Sequence, residues 1–199
     1  MSFETMRDRW RDLKEYYYQQ SLSGVISLVA ARRNRVRDLF RLAGYDLSDA
    51  DADAGFAIYR ADYARSWRLY EDVLPALRAL QGHRMAVLTN GGQETQTEKL
   101  EATGLGSFFE CVFASAELQV AKPEAAVFWR VCEELGVAPS RCVHVGDRLD
   151  VDAMGAQSAG LRSVWLNRRK LPAVPPYGFT GETISTLLDL VPVVHRQRS

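Results

Sequence analysis

After residue 70 the sequence settles into one rhythm: a short apolar run, a turn of small or polar residues, then a segment with helical periodicity. The runs lie at 84–89, 111–114, 142–145 and 163–166, and helical patterns follow over 95–102, 123–135 and 151–159. Strands this apolar need cover on both faces, and strands that alternate with helices pair in parallel. The expected fold is therefore α/β, a Rossmann-like parallel sheet core over 71–199. A helix over 73–80 leads into it. The proline-rich stretch 171–177 reads as a loop, and 183–190 as a closing helix.

Residues 1–70 lack that rhythm and read as helices only, a small α-helical domain of their own. Leu22, Ile26, Val29, Val36 and Phe40 recur at helical spacing, as do Phe56, Tyr59, Tyr63 and Trp67. Both stripes predict inward faces of a small bundle. Arg32, Arg33, Arg35 and Arg37 form the one dense cluster of charge, read as a solvated helix face, with a phosphate-attracting rim as the sharper alternative.

Charge narrows the range of functions. The chain has 25 basic and 25 acidic residues and no net charge, so the basic excess of a nucleic-acid or membrane-surface binder is missing. The opening segment has no apolar core of the kind a signal peptide needs, and no apolar run approaches ~18 residues. Cys111, Cys132 and Cys142 are scattered without a Cys-x-x-Cys pair, which fits a reducing compartment better than a disulfide scaffold or a zinc site. A cytoplasmic protein acting on a small molecule is the expectation. Oligomeric state is not readable.

In an open parallel sheet, ligands bind beyond the carboxyl ends of the strands. The first run ends in Thr89-Asn90-Gly91-Gly92, a hydroxyl, an amide and exposed backbone N–H groups at a helix entrance. That set suits an anionic oxygen, above all a phosphoryl group. The third run ends in Gly146-Asp147-Arg148-Leu149-Asp150-Val151-Asp152. Its crowded carboxylates predict a cation between them, and oxygen ligands alone favour Mg²⁺. Between these motifs stands Ala121-Lys122-Pro123, with the proline expected at the first helical position and Lys122 just outside it. An ammonium there can neutralise phosphate and carboxylate charge together. His144 lies inside an apolar run and reads as a satisfied core histidine.

Taken in order, the motifs at 87–91, 121–123 and 143–156, with Ala159-Gly160-Leu161 and Val164-Trp165-Leu166-Asn167, make the chain similar to the haloacid dehalogenase-like (HAD) hydrolases. Residues 1–70 resemble the helical cap of the phosphoglycolate phosphatase-like subfamily. The resemblance implies a Mg²⁺-dependent phosphatase of a small phosphorylated metabolite, working through an aspartyl-phosphate. It implies that Thr89 binds the phosphoryl group with Asn90 and Gly91, that Lys122 stabilises the negative charge, and that Asp147 and Asp152 hold Mg²⁺. Arg148 departs from the small residue usual at that position.

One motif of the resemblance is missing. The family's nucleophile and general acid stand in an Asp-x-Asp that ends an apolar strand ahead of the cap, and that strand lies at the sheet centre. Asp51-Ala52-Asp53 has the spacing but follows a polar turn, and Asp8 and Asp12 lie on a polar helix. The expectation is a chain lacking its first strand, by truncation or a late start, with its two neighbouring strands unjoined. The rival expectations are a catalytically dead phosphate- or partner-binding protein, and a metal-free 2-haloacid dehalogenase.

Overall fold

A computed structural model describes residues 2–115, 120–171 and 178–196. The chain divides into two compact units, Met1–Trp67 and Arg68–Ser199.

The first unit is helical: α1 Phe3–Leu22, α2 Leu28–Arg41 and α3 Asp49–Arg65. Ser2, Ser27 and Ser48 cap them, each hydroxyl accepting from an N–H three residues on. The turn at 23–27 separates Leu22 from Val29, so the first stripe does not continue as one face. Val36 is buried, whereas Val29 and Phe40 are exposed. The second stripe becomes an aromatic ladder along α3, with Phe56 and Tyr63 each 5.9 Å from Tyr59 and Trp67 5.8 Å from Tyr63. Asp51 and Asp53 lie on the exposed surface of α3, where Asp53 accepts from Arg33.

The second unit begins with α4 Val73–Ala79 and β1 Ala86–Thr89, then α5 Gln93–Ala102, β2 Cys111–Ala114 and α6 Ala125–Glu134. It continues with β3 Val143–Gly146, α7 Met154–Ser158, β4 Arg162–Leu166, β5 Glu182–Ile184 and α8 Leu190–His195. Every pairing is parallel: β1 with β2, β3 with β4, and β4 with β5. They form two ladders, β1-β2 and β3-β4-β5, and no ladder hydrogen bonds join β1 to β3 among the described residues. Val164, Ile184, Leu190, Val193 and Leu80 make one core cluster; Val127, Phe128, Ala156 and Ala159 make another.

Three expectations need correction. The closing helix over 183–190 is strand β5, a 3₁₀ turn over Leu187–Asp189 and then α8. Thr183 and Ile184 are β-branched, and Ile184 fills the core beside β4. Pro123 does not start α6; Glu124 is the cap, and the Lys122–Pro123 peptide is cis. The helix over 151–159 opens with a π-turn, Leu149–Ala153, before α7. Of the loop expected at 171–177, only Leu171 lies within the described residues.

Gly155 locates α7 against the rest of this unit. A methyl there would lie 2.9 Å from Pro123 Cα and 3.0 Å from the Phe128 ring. Gly155→Ala should therefore lower stability by about 1–3 kcal/mol, the usual effect of overpacking. Urea unfolding checks it; wild-type stability in the variant would refute the contact.

Candidate active site

β1 and β3 deliver the site residues at their carboxyl ends, where their chains leave the sheet. At the end of β1, Thr89 Oγ1 accepts from Gly91 N at 3.0 Å, which tightens the turn into α5. The ten-residue α5 has no side-chain cap at Gly92, so its first N–H groups lack an intrahelical partner.

Asn90 does different work from that expected. Its Nδ2 donates to Lys122 O at 2.8 Å, and its Oδ1 accepts from Lys122 N at 2.9 Å and from Ser115 Oγ at 3.0 Å. The amide thus clamps the ends of β1 and β2 to the Lys122 segment. It positions Lys122.

Lys122 spans the two ladders. Its Nζ donates to Leu88 O on β1 at 2.9 Å and pairs with Asp152 Oδ1 at 2.7 Å. Both side chains are buried, with 10% and 7% of their surface exposed. Burial works against the Asp152 carboxylate. The neighbouring His144, the Lys122 ammonium and the Arg148 N–H outweigh it and hold the group well below the usual carboxylate range. Asp152 Oδ2 accepts from Arg148 N at 3.0 Å. A Cβ on Gly146 would collide with the Asp152 side chain, so the glycine makes room for this carboxylate.

The carboxylate cluster has found its cations within the protein. Asp152 pairs with Lys122, and Asp150 pairs with Arg148 at 2.9 Å. Asp147 is exposed, while its backbone oxygen accepts from Trp165 Nε1 at 3.1 Å. No group of three His, Cys, Asp or Glu side chains gathers for a metal among the described residues. The donor set nonetheless suits Mg²⁺, which binds through one or two carboxylates and keeps several waters. Asp147 is an exposed carboxylate, whereas the Asp152 oxygens already meet Lys122 and the Arg148 N–H.

His144 is not satisfied. Its Nε2 is buried with no hydrogen-bond partner, 4.0 Å from Asp152 Oδ1, and its ring meets Phe128 edge-on at 5.0 Å. Burial pushes its pKa down, with Lys122 adding to the fall, so the ring is neutral at pH 7. Cys132 and Cys142 lie with sulfurs 3.5 Å apart, and burial pushes Cys132 up to about 12, which makes it a poor nucleophile.

The sequence model of the haloacid dehalogenase-like hydrolases matches residues 3–160, and the chain belongs to that family. Among its relatives, human N-acylneuraminate-9-phosphatase is 33% identical over 141 residues, covering 70% of this chain and 57% of that protein. Glyceraldehyde 3-phosphate phosphatase of Methanopyrus kandleri is 33% identical over 168 residues, covering 83% and 72%. The chain spans about half the length of the N-acylneuraminate-9-phosphatases it matches. In fold it resembles the magnesium-bound HAD hydrolase YfnB of Bacillus subtilis, with TM-score 0.80 and 22% identity over 98% of this chain and 84% of that one. L-2-haloacid dehalogenase of Xanthobacter autotrophicus gives TM-score 0.76 at 21% identity, over 98% and 87%. No described helix is long and apolar enough to cross a membrane.

Proposed function

We propose that this chain carries the phosphoryl- and cation-binding part of a Mg²⁺-dependent phosphatase site for a small phosphorylated metabolite, with residues 1–70 as its cap. One observation carries the reading: Asn90 and Lys122 lock the end of β1 to a buried ammonium that also meets Asp152 beside β3. A phosphoryl group at the start of α5 would receive hydrogen bonds from Thr89 and the helix N–H groups, with the Lys122 charge close by. Asp147, with Asp152 beside it, would hold Mg²⁺. The ion would supply further neutralisation of phosphoryl charge. Phosphatases among the relatives favour this reading over a dehalogenase.

These 199 residues contain no Asp-x-Asp at the end of an apolar strand. The unjoined edges of β1 and β3 fit a site whose nucleophile is not among them. Covalent catalysis without a nucleophile is closed. The same absence favours the second reading, a phosphate-binding protein that does not turn over.

Phosphate release from phosphoserine, N-acylneuraminate 9-phosphate and glyceraldehyde 3-phosphate separates the two. These 199 residues alone should bind phosphate and release none. A version with an apolar strand ending in Asp-x-Asp joined ahead of Met1 should turn over only with Mg²⁺, and Thr89→Ala should lower kcat about 10²-fold. A correctly folded extended version that releases nothing would decide for the binding protein.

A further inference from the structure

Helix α2 carries five arginines, and three have carboxylate partners. Arg33 pairs with Asp49 and Asp53, each at 2.7 Å; Arg37 pairs with Asp49; Arg41 pairs with Asp38 at 3.1 Å and Asp46 at 3.2 Å. Arg32 and Arg35 have no carboxylate partner among the described residues. Both guanidiniums instead lie over Phe56, at 5.4 Å and 5.2 Å from its ring centre. Arg35 also stacks on Trp10 at 4.1 Å and faces Tyr59 at 5.5 Å.

Arg35 is the anomaly. The residue is only 9% exposed, and its Nε is buried with no acceptor. The indole Nε1 of Trp10, the ring it stacks upon, is likewise buried with no acceptor. Aromatic faces offset part of the desolvation of a cation, but they accept none of these in-plane hydrogens. Two orphaned donors in touching side chains, beside a second unpaired cation, describe a place where an acceptor with negative charge is missing. Water could accept the hydrogens but would leave the charge uncompensated. Burial pushes the Arg35 pKa down against the opposing influence of Tyr59, and the nearby Arg32 charge pushes the same way.

We infer that the helical unit contains an oxyanion-binding site, in which Arg35 and the Trp10 indole donate to one carboxylate or phosphate group and Arg32 adds a second positive charge. The guanidinium fork suits both anions, and charge-assisted bonds in a dry site are strong ones. The inference is independent of the core-site reading.

The test follows the Trp10 indole N–H resonance of the full chain in ¹H–¹⁵N correlation spectra, assigned with Trp10→Phe. Inorganic phosphate and acetate are titrated separately against chloride at matched ionic strength. Saturable movement of the resonance is expected with at least one of them, and the tighter arm names the anion class. Arg35→Gln should weaken binding about tenfold or more, Arg32→Gln about threefold, with dispersed spectra showing that each variant folds. Thr89→Ala, which disables the core site, should leave the Trp10 response intact. No response beyond chloride overturns the inference, as does an undiminished response in Arg35→Gln. If Arg35→Gln fails to fold, an undiminished response in Arg32→Gln overturns it.

Discussion

Lys122→Met is expected to destabilise the protein by about 3–5 kcal/mol at pH 7, because it leaves the Asp152 carboxylate buried without its cation. The dependence on pH is the more telling part. In the wild type the folded-state pKa of Asp152 is depressed, so its contribution is present above the unfolded value of about 4 and is lost as pH falls. In the variant, burial acts unopposed by the lysine and the carboxyl takes up its proton more easily. His144 Nε2, 4.0 Å away and no longer repelled by Lys122, can supply the replacement cation once it protonates. The deficit should therefore narrow as pH falls and these two groups take up protons. Denaturant unfolding from pH 8 to pH 4 measures it. A deficit that stays constant across that range would mean that the pair contributes packing and not charge.

Asp72→Ala should have an effect of similar size at a place remote in sequence from its partners. Asp72 accepts from Arg168 through two nitrogens at 2.8 and 3.0 Å, from Thr186 Oγ1 at 2.7 Å and from Leu187 N at 2.7 Å. Its side chain is 11% exposed. Burial opposes its charge, but these donors prevail and hold its pKa well below the usual carboxylate range. Removing the carboxylate unpins α4 from the segment after β4 and from the turn before α8, and leaves Arg168 without its anion. The expected loss is about 3–5 kcal/mol. Asp72→Asn keeps the shape and some of the hydrogen bonds, so it should lose less. Equal losses in the two variants would show that the charge is irrelevant.

These two carboxylates also mark the limit of what the sequence reveals. The positions of β1 to β4 are legible because short apolar runs between helical patterns leave few alternatives, and that pattern puts Thr89 after the first run and Asp152 in the segment after the third. The choice of partners was not legible. Asp152 read as one of three carboxylates awaiting a metal, yet its nearest cation is thirty residues upstream and arrives only through the fold. Asn90 read as a ligand, because nothing local shows that its amide will clamp Lys122 and Ser115. Nothing local marks Asp72, since Arg168 and Thr186 are far along the chain. Strand β5 escaped because its three residues are too few to show a period. In the helical unit, spacing predicts apolar stripes, but Val29 and Phe40 are exposed on the helix that buries Val36.

A continuous sheet has two outer edges however many strands it holds, whereas two separate ladders have four. Open edges are templates for extended segments of other chains, and natural proteins commonly guard them with lysine. The Lys122 ammonium sits against the Leu88 carbonyl on the edge of β1. A charge at that place discriminates among such segments: one that ends in a carboxylate meets a partner there, and a wholly apolar one does not.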